Sequence, residues 1–301
     1  MSGPTRDLPT GIIDTHVHTS PDAVPRLLDD LTLARRARAA GYRGLVLKSH
    51  HTMTAGRAGL VADLTGLDVF GGLALNAYSS GGLNAPAVAS AARLGAKVVW
   101  LPTIDSSNHV MQDVGNFPTL PGEGEPRPTP VTIVDESGQL NPLVDRVLAA
   151  IAECGLTLAT GHLSAEEVML VVERARRRGV RRVIVTHPDM PFIGLGVDEQ
   201  RELAAAGDVW FERVAVVMYP PLDWPASSVA ERVRAVGVES TIMATDLGQP
   251  HNPCPVEGMV RYVEAMLDCG LSRADIETMT CVNPARALGM DPLRQETRTA
   301  R

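Results

Sequence analysis

The chain has 301 residues, of which 45% are apolar and 21% are charged, and its formal net charge is −7. This size and composition allow a large buried core. The acidic balance, with no basic patch interleaved with aromatic residues, argues against a nucleic-acid partner. No apolar stretch reaches the roughly 18 residues of a membrane span, and the first residues lack the apolar core of a signal peptide. The four cysteines form no CxxC pair, which favours reduced thiols in the cytoplasm.

Strand-like and helix-like segments alternate along most of the chain. Eight apolar segments are typical of buried strands, at 12–18, 44–48, 69–76, 97–101, 156–160, 182–186, 209–217 and 241–245. Helical spacing predicts helices near 25–40, 85–94, 255–268, 272–280 and 283–288, and Ser164 with Glu167 predicts a capping box for a further helix. This alternation predicts an α/β fold, a (β/α)8 TIM barrel. A doubly wound open sheet is the rival, but its dinucleotide-binding form needs a glycine-rich turn after an early strand, and none is present.

The alternation of strands and helices is interrupted between the fourth and fifth predicted strands, where residues 104–142 form a long connection. Five prolines lie between Pro118 and Pro130. Long irregular insertions at an active face usually serve as a lid or substrate loop, although a surface excursion is the plainer alternative. We therefore expect one barrel domain over 1–290 that carries this insertion, and a loose polar tail over 291–301.

Polar residues of metal-ligand type end several of the predicted strands. His16 and His18 share one face of the first strand, with imidazoles about 6 to 7 Å apart, and can hold one divalent metal. Later strands end at His162, His187 and Asp246. In a barrel these carboxyl ends meet at one mouth, so the pattern predicts a metal site there.

These strand ends resemble those of the amidohydrolase superfamily of metal-dependent barrel hydrolases, over roughly residues 10–290. The carriers of the resemblance are Asp14-Thr15-His16-Val17-His18, Thr160-Gly161-His162, Thr186-His187-Pro188 and Ala244-Thr245-Asp246. The resemblance implies that His16, His18 and Asp246 bind one metal. It further implies that His162 and His187 hold a second metal, or position water and substrate.

The resemblance also implies a reaction, which is hydrolysis of an amide, lactone or ester bond in a small molecule. The expected cofactor is a divalent metal, most simply Zn²⁺, as one or two ions that activate water. Asp246 is the expected general base, and His187 is expected to help stabilise the oxyanion. We expect a small-molecule substrate, no membrane partner and a homo-oligomer.

Other functions stay open on the same scaffold, among them non-oxidative decarboxylation and deamination. A deaminase resembling adenosine deaminase has a glutamate three residues after the strand-five histidine, where Ala165 stands here. A phosphoesterase of the histidinol-phosphatase type has a further histidine beside the last aspartate, which Asp246-Leu247-Gly248 lacks. The non-enzyme alternative is a metal-bearing binding or regulatory protein, which the presence of Asp246 disfavours.

One departure from the superfamily pattern concerns the group that bridges two metals. Strand four ends with no lysine or glutamate; Lys97 stands at its start and Asp105 beyond it. Lys48 ends the second strand, on the face that it shares with Val46 and His50. Cationic metals beside it would favour its neutral amine, which could become a carboxylated bridge. The simpler interpretation is an unmodified lysine that binds a substrate anion or supports the rim.

Four further residues are candidates for substrate contact at the rim of the barrel. They are Arg26, His50, His109 and His251. His50 is preferred over its neighbour His51 because of strand parity. The plainer readings are solvated loop histidines and, for Arg26, the start of a surface helix.

Overall fold

Eight parallel strands form one sheet whose order around the sheet is the chain order. The computed structural model describes residues 8–112, 128–135 and 137–292. The strands are β1 (Ile13–His18), β2 (Gly44–Lys48), β3 (Asp68–Ala74), β4 (Val98–Trp100), β5 (Thr157–Ala159), β6 (Val183–Thr186), β7 (Val209–Val214) and β8 (Thr241–Ala244). Nearly all of their residues are buried, as expected for parallel strands that are covered on both faces.

The sheet closes between its first and last strands. The amide of Asp246 donates to the carbonyl of His16 over 2.8 Å, and the amide of His18 donates to the carbonyl of Leu247 over 2.8 Å. The side chain of Asp14 accepts hydrogen bonds from both the amide and the hydroxyl of Thr245. We call these contacts the β1–β8 seam. The predicted (β/α)8 barrel is therefore confirmed.

Helices cover the outside of the barrel and follow most of the strands. They are α1 (Asp30–Ala39), α2 (Ala55–Thr65), α3 (Ala77–Ser80), α4 (Ala85–Arg93), α5 (Ser107–Met111), α6 (Pro142–Glu153), α7 (Ala165–Arg177), α8 (Val197–Ala205), α9 (Ala226–Val236), α10 (Pro255–Asp268), α11 (Arg273–Glu277) and α12 (Asn283–Ala287). The predicted capping box of α7 is confirmed, because the Ser164 hydroxyl accepts from the Glu167 amide and the Glu167 carboxylate accepts from the Ser164 amide. Among the residues that the structure describes, no helix combines the length and apolar character needed to cross a membrane.

Some element bounds differ from the predicted ones. The sequence predicts that the seventh strand reaches residue 217, but β7 ends at Val214 and the chain turns into a 3₁₀ segment, Ala215–Met218. The residues of this segment are apolar and partly buried, like those of a strand. Periodicity alone does not separate such a turn from a strand. The first helix was expected from residue 25 and begins at Asp30, where the Asp29 side chain caps it by accepting from the Thr32 amide.

Part of the long connection between β4 and β5 is visible. Its first section carries α5, and the Val131 amide donates to the Asp105 carbonyl over 2.7 Å, which brings residues 128–135 back beside α5. Residues 113–127 and 136 of the expected lid lie outside the described residues, as do residues 293–301 of the expected tail. The lid therefore stays a prediction.

Gly161, just before His162, provides a test of backbone packing at the barrel mouth. Its φ is +67°, and an added Cβ would lie 2.4 Å from the Leu101 carbonyl oxygen. Gly155 has nearly the same φ, +64°, with nothing within 4 Å. We expect Gly155→Ala to lower the free energy of unfolding by about 1 to 2 kcal/mol through φ alone. Gly161→Ala should cost several kcal/mol more, since backbone atoms must move. Denaturant unfolding measures both, and equal losses would contradict the packing argument.

Candidate metal centre and ligand cavity

Three side chains converge where β1 and β8 end. The Oδ1 atom of Asp246 lies 3.0 Å from Nε2 of His16 and 3.0 Å from Nε2 of His18. One ligand atom from each of the three residues lies within 4.8 Å of the others. Asp246 reaches this position with a φ of +52°, a left-handed conformation that aspartate tolerates better than most residues. Two imidazoles and one carboxylate form a donor set for a divalent transition metal.

Glu212, on β7, fixes the ring of His16 from behind. Its Oε2 lies 2.9 Å from Nδ1 of His16, and its Oε1 accepts a hydrogen bond of 2.7 Å from the Thr15 hydroxyl. A carboxylate that accepts from Nδ1–H holds the imidazole in the tautomer whose Nε2 lone pair is free for a metal. The described residues therefore fit a divalent ion held by His16, His18 and Asp246.

The charge states of these groups agree with that fit. Burial raises the pKa of Asp246, but the charge of His16 and hydrogen bonds from both histidines outweigh it and hold this pKa well below its usual value. Burial, together with the charge of Arg26, lowers the pKa of His18 to about 3. Burial also lowers the pKa of His16, yet Asp246 and Glu212 bring it above its ordinary value. An ionised carboxylate and a neutral His18 are ready to bind, whereas His16 must exchange its proton for the metal.

Lys48 lies at the carboxyl end of β2 and is 1% exposed. Its Nζ is 2.9 Å from Nε2 of His16 and 5.7 Å from the centroid of the Trp100 ring. Burial lowers the pKa of Lys48 to about 8, against the opposing charges of Asp246 and Glu212. An amine with this pKa is partly neutral near physiological pH. The structure thus brings Lys48 to the candidate metal centre, and its role there stays a prediction.

The two alternatives for Lys48 give different results in one variant. We expect Lys48→Met to lower kcat/KM by about tenfold or more in either case. If Lys48 carries a carbamate that bridges metals, metal content falls and added bicarbonate with a short carboxylic acid restores activity in part. If its ammonium contacts substrate, metal content is unchanged and KM rises. Elemental analysis measures the metal content and steady-state kinetics measures KM and kcat. A variant with wild-type values for all of them would rule out both roles.

A row of histidine rings continues from the candidate metal centre. His162 follows β5 and His187 follows β6, and their ring centroids are 5.0 Å apart. The ring of His50 lies 5.1 Å from that of His18 and 5.7 Å from that of His162. Burial lowers the pKa of His187 to about 3 and holds the pKa values of His50 and His162 well below the ordinary value. All three rings are therefore neutral, each with one N–H to donate and one nitrogen to accept.

These groups lie at the floor of a cavity of about 570 Å³. The floor contains His18, Lys48, His50, His162, His187 and Asp246. An apolar wall, so named from here on, consists of Met190, Pro191, Phe192, Val216, Tyr219, Pro220, Pro221 and Leu222. The remaining lining residues are Pro25, Arg26, Gln112, Gln249, Pro250, His251 and Asn252. The cavity has the size of a small-molecule site, and both polar floor groups and an apolar wall line it.

The four rim candidates have different positions. Arg26, His50 and His251 line the cavity, but His109 does not. His109 is 5% exposed and lies behind His162, with its Nδ1 2.9 Å from Nδ1 of His162. It comes from α5, a short helix that packs into the barrel mouth instead of standing in solvent. His51 turns away toward Asp22, 3.4 Å distant.

Comparison with known sequences places the chain in a family. The chain matches no curated protein. The family DUF6282, described as a family of unknown function, matches residues 11–212. The chain belongs to the DUF6282 family. The matched range includes every floor residue of the cavity except Asp246, so most of the site lies in the part of this DUF6282 chain that defines the family.

Solved structures share the fold of this DUF6282 protein at low sequence identity. An amidohydrolase from Pseudomonas aeruginosa aligns with a TM-score of 0.61 and 13% identity, over 93% of this chain and 95% of that one. A phosphotriesterase homology protein from Escherichia coli, with phosphate in its active site, gives 0.60 and 14%, over 93% and 99%. A 2,6-dihydroxybenzoate decarboxylase gives 0.55 and 11%, over 93% and 100%. The resemblance to amidohydrolase-type proteins is thus confirmed for the fold.

Glu212, which the structure places against His16, is not among the residues predicted from the sequence. The signal was present, because a glutamate and Arg213 interrupt an otherwise apolar strand of this DUF6282 chain. A buried charge in a barrel strand needs a partner. Glu212 has two, Thr15 and His16. The identity of these partners depends on the register between the strands, which cannot be predicted from the sequence.

Glu212→Gln tests whether this carboxylate supports a metal ligand. The amide keeps a hydrogen-bond acceptor but loses the charge that makes His16 a stronger ligand. We expect metal affinity to fall by about 10- to 100-fold with the fold retained, measured by competition with a chelator. Glu231→Gln, at an exposed position on α9, is the matched control. An affinity equal to that of the control would argue against the assigned role.

Proposed function

We propose that this protein is a metal-dependent hydrolase that cleaves an amide, lactone or ester bond in a small molecule, with Zn²⁺ as its metal. The observation that carries the proposal is the position of Asp246, 3.0 Å from Nε2 of both His16 and His18 at the floor of a cavity of about 570 Å³. A carboxylate there is both a metal ligand and a base that faces the space where a substrate binds. A purely structural metal site has no need of an adjoining cavity.

A divalent ion at this site supplies Lewis acidity and lowers the pKa of water when it is bound. Asp246 is ionised, so its carboxylate can accept a proton from a water molecule at the cavity floor and return it to the leaving group. His162 and His187 are neutral and face the same space, and each can donate one N–H to the oxygen that becomes negative during the reaction. Lys48 adds a further polar contact beside His16.

Decarboxylation of an aromatic acid is the second candidate. A single candidate metal site supports it, because this scaffold can run non-oxidative decarboxylation with one metal. His16, His18 and Asp246 form the only candidate cluster among the described residues. The apolar wall would contact an aromatic ring. A 2,6-dihydroxybenzoate decarboxylase has a similar barrel fold, which also supports this candidate. In this reaction the ring carbon that loses carbon dioxide takes up one proton, which the ammonium form of Lys48 at the cavity floor could donate.

One experiment separates these candidates. Purified protein is analysed for metal, loaded with Zn²⁺, and incubated with a panel of lactones, amides, esters and aromatic carboxylic acids. The proposal predicts that a neutral bond is hydrolysed, that a chelator abolishes turnover, and that Zn²⁺ restores it. Release of carbon dioxide from an aromatic acid would favour decarboxylation. Turnover that survives complete metal removal would overturn both.

A further inference from the structure

The guanidinium of Arg26 is a buried cation with unused donors. Its side chain is 4% exposed, and its Nε donates to Asp22 over 2.8 Å. Within the described part of the chain, neither of its Nη groups has a hydrogen-bond partner, and Arg26 is one of the residues that line the cavity. A nearly buried guanidinium that keeps one edge open toward a cavity is a ready partner for an anion.

Asp22 fixes the orientation of that edge. Its carboxylate is fully buried and also accepts from the Ala23 amide over 2.7 Å and from the Ser49 hydroxyl over 3.0 Å. Although burial raises the pKa of Asp22, hydrogen bonds from His51 and the charge of Arg26 hold it far below its ordinary value. The ionised carboxylate holds the Nε side of Arg26. The guanidinium is organised before any ligand arrives, which reduces the entropy cost of binding.

The charges of the cavity favour an anion. Asp246 is the only carboxylate among the described lining residues, whereas Arg26 and Lys48 are both basic. The charge of Arg26 contributes to the low pKa values of His18 and Lys48, so it acts on the floor of the same cavity. Once Asp246 is engaged with a metal, the remaining charge of the lining is positive.

The apolar wall of the cavity lies beside its floor. Phe192 stands next to the reactive floor, since its ring lies 5.2 Å from that of His162 and 5.7 Å from that of His187. Its carbonyl accepts a hydrogen bond of 2.6 Å from the Asn108 side chain, which fixes the loop that carries it. Pro220, Pro221 and Leu222 continue the apolar wall from the β7 side. Such a wall gains free energy when an apolar group displaces water from it.

We propose that this cavity binds a small monocarboxylate with an apolar, ring-bearing part, and that Arg26 holds its carboxylate while the apolar wall contacts the ring. The inference deepens the proposed hydrolase and rests on it only for the bond that reacts. One open guanidinium edge matches the two oxygens of one planar carboxylate. A phosphate or phosphonate dianion carries a third oxygen and a second charge, for which this edge of Arg26 offers no further donor.

Equilibrium binding to the full chain tests the ligand class without requiring turnover. Calorimetry compares phenylacetate with phenylacetamide, which is neutral, with acetate, which has no ring, and with phenylphosphonate, a dianion. We expect phenylacetate to bind about tenfold or more tightly than each of the other three, in both Zn²⁺-loaded and metal-free protein. Equal affinity for phenylacetate and phenylacetamide would overturn the proposal. Tighter binding of phenylphosphonate would overturn the carboxylate assignment.

Variants assign the two halves of the ligand. Arg26→Lys keeps a charge beside Asp22 but loses the planar fork, so it should weaken phenylacetate by about tenfold and leave phenylacetamide unchanged. Phe192→Ala should weaken phenylacetate and leave acetate unchanged. Arg35→Met, at an exposed position on α1, is the control. If Arg26→Lys binds phenylacetate like the wild type, the carboxylate lies elsewhere and the inference fails. If Arg26→Lys does not fold, the wild-type comparison of the four probes still decides.

The two proposals can fail separately. A chain that binds phenylacetate through Arg26 but turns over no substrate retains the ligand class and loses the hydrolase. A chain that hydrolyses neutral substrates in a metal-dependent manner and binds phenylacetate no better than phenylacetamide retains the hydrolase and loses the ligand class.

Discussion

Replacing Asp246 with asparagine is expected to lower kcat by about 10²- to 10⁴-fold, the usual contribution of a general base, while the barrel stays folded. The amide has nearly the same shape as the carboxylate but cannot accept the proton of water. The fold should tolerate the change because asparagine, like aspartate, adopts the left-handed backbone that this position requires, with φ at +52°. Steady-state kinetics on the best substrate of the panel, together with denaturant unfolding, measure both effects.

Asp105→Asn is the matched control for this variant. Asp105 is also a mostly buried aspartate at the barrel mouth, but its carboxylate accepts from the Ala77 amide and does not line the cavity. We expect this control to keep kcat within a few fold of the wild-type value. If Asp246→Asn also keeps it, the general-base assignment is wrong, whatever the metal content.

The double variant His16→Ala/His18→Ala should lose about nine-tenths or more of its bound metal after dialysis. Two of the three donor side chains disappear, and the carboxylate of Asp246 alone binds a transition metal weakly in competition with water. Elemental analysis measures the effect. His251→Ala is the control, because His251 lines the cavity at its exposed end and is not among the three clustered donors. Full retention of metal in the double variant would falsify the assigned centre.

Most of the fold could be predicted from the sequence, because parallel barrel strands are buried on both faces. Their apolar runs are therefore continuous, and each of the eight predicted segments overlaps an observed strand. The helices were predicted less completely. No helix is predicted over α2, α6, α8 or α9; Gly56 and Gly59 lower the helix propensity of α2, but α6, α8 and α9 contain no glycine.

The site could be predicted only where strand ends define it. His16, His18, His162, His187 and Asp246 converge because the carboxyl ends of all eight strands open on the same side. The positions of Arg26 and His109 depend instead on loops. Local periodicity contains no information about which partner a loop residue meets, so neither the Asp22–Arg26 pair nor the place of His109 behind His162 followed from the sequence.

The β1–β8 seam has a consequence for how the family can diversify. The amide of Asp246 and the carbonyl of His16 are joined in the seam, as are the amide of His18 and the carbonyl of Leu247. The residues proposed to bind metal thus also close the cylinder, through their backbone atoms, so a backbone change that moves the donors would also disturb the seam. The loops over 188–196 and 215–225 carry the apolar wall and take no part in this closure. Exchange of these loops would therefore change the apolar wall without altering the backbone contacts of the β1–β8 seam.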